Sequence, residues 1–232
     1  MVELLKKDFG ICKMAILLAA SILVLPYIVN AIYNLWLVGL EPDEIREVWG
    51  RSMLHGSQIS MVLTMLSFPF LAGYIIAGER SLRTAEFLGY LPASRASILF
   101  SKFLVCASWA LAVTAMYLLV LLVVVQWLLP QGLQGPRLEN FGDEILMFSS
   151  TAAAMFGVSW MLSCMIRSPV LAVCGGIVAP WLLMVILYST SVYFGWSVGD
   201  VVSEYSVPLL NSVASIVSFV IGCVCFLRRT EP

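Results

Sequence analysis

The chain has 232 residues, of which 61% are hydrophobic and only 12% are charged, with a net charge of −1. Soluble domains carry roughly 25% charged residues, so the composition excludes an ordinary soluble protein and predicts an integral membrane protein. With 13 basic and 14 acidic residues, no nucleic-acid partner is expected.

Apolar runs long enough to cross a bilayer occur six times along the chain. A helical span needs about 20 apolar residues, and the runs are continuous and leucine-rich, which favours helices over the alternating strands of a barrel. The predicted fold class is therefore an all-α integral membrane protein with six transmembrane helices in a single domain over 1–232. The predicted spans are 14–39, 53–78, 103–129, 145–166, 170–192 and 207–227.

The first thirteen residues predict a short interfacial helix lying on the inner leaflet. Their apolar residues recur at helical spacing, and lysines lie largely between them. The apolar residues are Val2, Leu5, Phe9 and Cys12. A secretory signal is the alternative interpretation of this start of the chain. The apolar run continues past Pro26 without a convincing small-residue cleavage site, so a first span is the better interpretation.

A polar segment, residues 79–97, follows the second predicted span and is the only dense mixture of both charge signs in the chain. At 100° per residue, one arc of a helix holds its charges and the opposite arc its apolar residues. The charged arc contains Glu79, Arg80, Arg83 and Glu86, and the apolar arc contains Leu82, Ala85, Leu88 and Gly89.

Two aromatic residues of this segment, Phe87 and Tyr90, project into the charged arc, which suits insertion into a protein pocket. Packing on neighbouring span ends is the alternative for this pair. Pro92 ends the helix, because the residue before a proline is pushed out of the α region. Ser94 is then a plausible N-cap for the third span.

The distribution of Lys and Arg predicts the orientation. Ten of the thirteen basic residues lie on one side, including Arg95, Lys102 and Arg167, and the other side holds three basic residues and nine acids. Both termini should therefore be cytoplasmic. Arg80, Arg83, Arg95 and Lys102 could instead serve only to enforce this topology and contact lipid phosphates.

The predicted spans carry almost no charged residues, and 103–136 and 168–199 contain no Asp, Glu, Lys, Arg or His. Ion-coupled carriers usually keep an intramembrane charge, so secondary transport is disfavoured, although coupling at broken helices stays open. Intramembrane proteolysis is disfavoured because the only histidine, His55, lies at a span margin. No P-loop is present, so no enzymatic activity and no bound cofactor are expected of this chain.

The cysteines and glycines of the spans are interpreted as packing residues. Disulfides are unexpected at the predicted positions of the six cysteines, and a metal site at Cys223 and Cys225 would need further ligands. Close helix packing is expected at Gly73 with Ala77, Gly157 with Met161, and Gly175 with Gly176.

The order of residues in segment 79–97 resembles the signature of type-2 ABC transporter permeases. The residues that carry the resemblance are Glu79, Arg80, Thr84, Glu86, Leu88, Leu91, Pro92, Ser94, Arg95 and Lys102. Arg83 departs from the pattern, since family members commonly have glycine before the threonine. The span count, the orientation and the N-terminal interfacial helix also fit the family over nearly the whole chain.

The resemblance implies a coupling helix in 79–97 that docks on a separate ATP-binding subunit, and a second permease subunit that completes the translocation path. The residues implied in coupling are Glu79, Arg80, Arg83, Thr84, Glu86, Phe87, Leu88, Tyr90, Pro92 and Arg95. An uncharged, aromatic-rich interior suits an amphiphilic or hydrophobic cargo, and a bacterial inner membrane is the expected location. The alternative function is a non-transporting membrane scaffold that recruits a cytoplasmic protein through 79–97.

Overall fold

The computed structural model describes residues 23–33, 36, 42–81, 94–123, 141–194 and 206–228, and every regular element in these ranges is an α-helix. In chain order they are α1 (Leu23–Tyr33), α2 (Pro42–Ser81), α3 (Arg95–Val123), α4 (Phe141–Met165), α5 (Pro169–Phe194) and α6 (Ser206–Arg228).

Five of these helices contain segments that are long and apolar enough to cross a membrane, and α1 is a shorter apolar helix. The segments are Val48–Gly78, Arg95–Val120, Ile145–Met165, Pro169–Phe194 and Ser206–Arg228, which overlap the last five predicted spans. An all-helical, multi-pass membrane protein is therefore confirmed. The count of six stays a prediction, because residues 14–22 of the first span and the interfacial helix at 1–13 lie outside the described residues.

Helix α2 is longer than the predicted second span. It begins at Pro42 and ends at Ser81, so it includes residues that were expected to precede and to follow the span. Helix α3 likewise begins at Arg95, eight residues before the predicted start of the third span. A helix can extend beyond the hydrocarbon layer because its backbone hydrogen bonds are made within the helix itself.

Two compact units make up the described part of the chain: one contains its residues in 65–106 and 145–228, and the other contains those in 23–64 and 107–144. In the first unit, Trp160 is fully buried at the centre of an aromatic cluster. Its ring lies 5.8 Å from Phe156 and 5.4 Å from Phe219 between centroids, and 6.4 Å from Phe103 in an edge-to-face arrangement. Edge-to-face and offset pairs of this kind add to the packing energy of the buried area.

Helices α4 and α5 form a tight antiparallel hairpin in the first unit. Only residues 166–168 connect them, and Ser168 Oγ accepts a hydrogen bond from Leu171 N–H at 3.4 Å. Across the hairpin, Ser159 Oγ donates to the Ala172 carbonyl at 3.0 Å. Gly176 packs against Ser159, which leaves no room for a Cβ atom.

Helix α6 packs parallel to α4. Asn211 Nδ2 lies 3.4 Å from Thr151 Oγ1, and four residues further along α6, Ser215 Oγ donates to the Ala153 carbonyl at 2.7 Å. Since the contacts advance in the same direction along both chains, α4 and α6 cross the membrane the same way and α5 crosses it in reverse. Successive membrane spans must alternate in this manner.

In the second unit, α1 packs against the first half of α2. Ser60 Oγ donates to the Leu23 carbonyl at 3.1 Å, and the ring of Tyr27 covers Gly56, where an added Cβ would lie 2.8 Å from a ring carbon. Tyr27 and Met53 belong to a small core that also contacts Val120 of α3. Small residues on α2 thus allow α1 to approach closely.

The outward faces of α5 and α6 are apolar. Val185, Ile186 and Tyr188 of α5 and Ile216 and Val220 of α6 are each more than half exposed. Exposed apolar surface of this extent is unusual on a soluble protein, and it agrees with contact between these helices and lipid.

Candidate functional site

Segment 79–97 is the site indicated by the sequence, and the structure describes its two ends. Glu79 and Arg80 continue α2 as helix, and Arg95 opens α3. The remaining residues implied in coupling lie outside the described residues: Arg83, Thr84, Glu86, Phe87, Leu88, Tyr90 and Pro92. The coupling helix itself therefore stays a prediction.

Ser94 is the N-cap of α3, as the sequence predicts. Its Oγ accepts a hydrogen bond from Ser97 N–H at 3.2 Å, and Ser97 Oγ donates to the Ser94 carbonyl at 2.7 Å. A serine at this position satisfies a backbone N–H that has no partner within the helix. Helix α3 therefore begins at a defined residue within segment 79–97.

Arg95 is an exposed cation in the first turn of α3, a turn that contains no acidic residue. The N-terminal end of a helix carries a partial positive charge, so a cation there is electrostatically unfavourable for the helix. The dipole of α3 therefore does not stabilise the charge of Arg95.

The burial of Lys102 is the property of the site that differs most from the expectation from sequence. The sequence places it with the exposed basic residues that set topology, but its side chain is only 3% exposed. Its Nζ donates to the Ile75 carbonyl of α2 at 3.0 Å. The interpretation of Lys102 as a lipid-phosphate contact is therefore wrong, because a buried ammonium reaches neither water nor a headgroup.

The buried position of Lys102 carries an energetic cost. Insertion of a lysine into the centre of a membrane span costs about 2.5–3.5 kcal/mol, and less near the ends. Lys102 lies about 10 Å into α3 and Ile75 about 9 Å before the end of α2, at 1.5 Å per residue. The hydrogen bond thus joins the two helices at matching depths, roughly two turns from the end of α2 at Ser81 and from the start of α3 at Arg95.

An apolar core surrounds this hydrogen bond. Ile76 of α2 and Leu99 and Cys106 of α3 are buried together with Trp160 and Cys164 of α4, and Ile75 packs against the same cluster. The neighbouring face of α2 is held against α5, since a Cβ on Gly73 would lie 2.7 Å from a methyl group of Val173. The expected close approach at Gly73 is thereby confirmed.

The sequence predicts the Ser94 cap, but it does not predict the burial of Lys102 or its hydrogen bond to Ile75. The available signal was its position: with Ser94 as the cap, Lys102 falls two turns inside the helix, with apolar residues one helical turn before it and one turn after it. An isolated lysine at that depth needs a polar partner within the protein.

Comparison with known families gives the decisive observation. The family model described as ABC-2 family transporter protein matches residues 51–210, which are more than two thirds of the chain. The chain belongs to the ABC-2 transporter family. The predicted family is thereby confirmed, and this ABC-2 protein is a membrane subunit of an ABC transporter. No curated protein and no solved structure matches the chain significantly.

Proposed function

We propose that this ABC-2 protein is the membrane-spanning half of an exporter that is driven by a separate ATPase subunit bound at segment 79–97. The observation that carries the proposal is the position of this segment. It connects α2 to α3, two helices that are tied by the Lys102–Ile75 hydrogen bond, within the region matched to the family. A subunit that holds the segment therefore acts on both helices.

The mechanism requires no covalent chemistry in the permease. ATP binds better to the closed ATPase pair than to the open one, and this difference in affinity supplies the driving force. The segment moves with the ATPase subunit, and α2 and α3 tilt between inward-open and outward-open arrangements. ATP hydrolysis resets the ATPase pair, so the permease itself is not an enzyme.

An amphiphilic or hydrophobic cargo is the proposed substrate. The spans are almost free of charged residues, and aromatic side chains are buried in both units, including Tyr27, Trp109, Tyr117 and Trp160. Aromatic surfaces bind apolar groups and retain polar edges for hydrogen bonding. Trp36 and Trp181 are exposed in this chain, which suits contact with lipid better than contact with cargo.

The proposed assembly contains two permease subunits and two ATPase subunits in a bacterial inner membrane, with the permease termini cytoplasmic. The arrangement of basic residues supports this orientation, because Arg95, Arg167 and Arg228 all lie on the side that the positive-inside rule assigns to the cytoplasm. Family membership supports pairing with an ATPase.

Co-purification from native membranes tests the proposal. The wild-type chain should recover an ATPase that mass spectrometry identifies, and the double variant Arg83→Glu, Phe87→Ala should lose it. The double variant Arg228→Glu, Phe194→Ala is the matched control: it makes the same substitutions at exposed residues outside the segment and should retain the ATPase. A scaffold would recover a partner without ATPase activity, and that result would reject the exporter.

A further inference from the structure

We infer that Lys102 is a positioning residue that makes α2 and α3 move as one body when the ATPase acts on segment 79–97. The inference rests on the proposed function but concerns a residue outside the segment. It starts from one hydrogen bond, from Lys102 Nζ to the Ile75 carbonyl at 3.0 Å, between residues 27 apart in sequence.

A charged group is a poor choice for packing at this position. Lys102 is 3% exposed, and its acceptor Ile75 packs against a core that contains Ile76 and Leu99, which a methionine side chain would suit equally well. Replacement of buried ionic groups by apolar residues of similar volume is often neutral or stabilising. The ammonium must therefore be explained by what it connects rather than by the stability of the fold.

The acceptor of this hydrogen bond, the Ile75 carbonyl, indicates which parts of the protein the ammonium connects. Ile75 belongs to the last two turns of α2. Its carbonyl oxygen has two lone pairs, so it can accept a hydrogen bond from the ammonium and still accept the hydrogen bond within the helix. Since the chain leaves α2 after Ser81 and re-enters helix at Arg95, the hydrogen bond closes the base of the α2–α3 hairpin. Without it, a force on segment 79–97 could spread the two helices apart instead of tilting them together.

Apolar packing alone does not provide this constraint. Contacts such as those of Ile76 and Leu99 are non-directional and permit one helix to slide along the other. A hydrogen bond to a specific backbone carbonyl fixes the register, and a charged donor strengthens that bond. The hairpin is thus held in one axial alignment during the conformational change.

The first experiment measures the hairpin in the permease alone. Spin labels on unnatural amino acids at Tyr74 and Leu104, both exposed, report the distance between α2 and α3 in lipid nanodiscs while the native cysteines remain in place. We expect a narrow distance distribution in the wild type and in Lys102→Arg, and a broad one in Lys102→Met. Arg167→Met, which removes an exposed charge from the α4–α5 connection, should stay narrow. An unchanged distribution in Lys102→Met would overturn the inference.

The second experiment measures transmission in the complex with the co-purified ATPase. Labels at Leu104 and Leu182, an exposed position of α5, should report a shift after trapping with ATP and vanadate. Lys102→Met should bind as much ATPase as the wild type and keep its thermal stability, yet lose the shift. A retained shift would show that transmission through α2 and α3 does not require the hydrogen bond between Lys102 and Ile75. If the wild type binds no ATPase, the proposed function fails, and the first experiment still decides whether Lys102 closes the hairpin.

Discussion

Gly157 of α4 lies directly against the backbone of Ser215 of α6, so that a Cβ atom added to Gly157 would fall 2.5 Å from the Ser215 carbonyl oxygen and 2.8 Å from its Cα. The same serine donates its hydroxyl to the Ala153 carbonyl, one turn earlier on α4. Close approach and interhelical hydrogen bonding are the two interactions that associate helices within a membrane. This pair of residues combines both.

Substitution of Gly157 by alanine should destabilise the permease. The obstructing atoms belong to the backbone of α6 and cannot rotate away, so the helices must separate, at a cost of about 1–3 kcal/mol as for other overpacked sites. The purified protein can be unfolded in mixed micelles that contain increasing amounts of a denaturing detergent. This titration measures the free energy of unfolding.

Gly142→Ala is the matched control for this substitution. It lies in the same helix, but a Cβ atom at Gly142 would meet nothing within 4 Å. The alanine should be neutral or stabilise the helix by roughly 0.5–1 kcal/mol, because glycine loses more backbone freedom on folding. Equal effects of the two substitutions would contradict the close contact between α4 and α6.

Truncation of Trp160 should be among the most destabilising changes in the chain. Its ring is fully buried among Phe103, Phe156 and Phe219, so Trp160→Ala leaves a cavity and should cost about 3–5 kcal/mol. Trp160→Phe should retain most of the stability. Thermal denaturation followed by intrinsic fluorescence gives the ranking.

Trp181→Ala provides the comparison. Trp181 is 69% exposed on α5, where lipid can replace the lost contacts, so its truncation should cost under about 1 kcal/mol. Comparable losses at Trp160 and Trp181 would show that the aromatic cluster does not form the core of its unit.

Most of the fold of this protein could be predicted because each membrane helix has a continuous apolar run in the sequence. The runs at 145–166 and 170–192 coincide with α4 and α5 to within a few residues, since the bilayer fixes the length of a span. Helix ends beyond the hydrocarbon layer leave no such signal. Hydropathy therefore did not indicate the extension of α2 back to Pro42.

The site was predicted less completely, and Lys102 shows why. Its family motif and its charge were visible, but the pairing of Lys102 with Ile75 depends on how α2 and α3 align. A backbone carbonyl has no side-chain signature, so no residue at position 75 could indicate an acceptor. In contrast, the Ser94 cap was predictable because capping is a local interaction within one turn.

The orientation of the permease can be tested by chemical labelling. Gly142 lies at the start of α4 and Arg167 just after its end, so single cysteines at these two positions should be on opposite sides of the membrane. In intact spheroplasts, a membrane-impermeant maleimide should label Gly142→Cys and should label Arg167→Cys only after permeabilisation. The unsubstituted chain supplies the background from the native cysteines, and the reverse pattern would place the connection between α4 and α5 outside.

Charge reversal at Arg95 should separate stability from partner binding. Arg95→Glu places an anion at the N-terminal end of α3, where it complements the helix dipole by about 0.3–1 kcal/mol. The dipole should therefore not lower the stability of the variant, and thermal denaturation beside the binding measurement checks this. If Arg95 contacts the ATPase, however, the yield of co-purified ATPase should fall, and it should fall further at low ionic strength, where charge repulsion is less screened.

Arg167→Glu is the matched control for this prediction, because Arg167 is also an exposed arginine close to the N-terminal end of a helix. It precedes α5 rather than α3 and lies outside segment 79–97, so its reversal should leave the ATPase yield unchanged. Equal losses for the two variants would indicate a general effect of positive charge on that membrane face. Loss for Arg95→Glu alone, with stability preserved, would assign the charge of Arg95 to the interface with the ATPase.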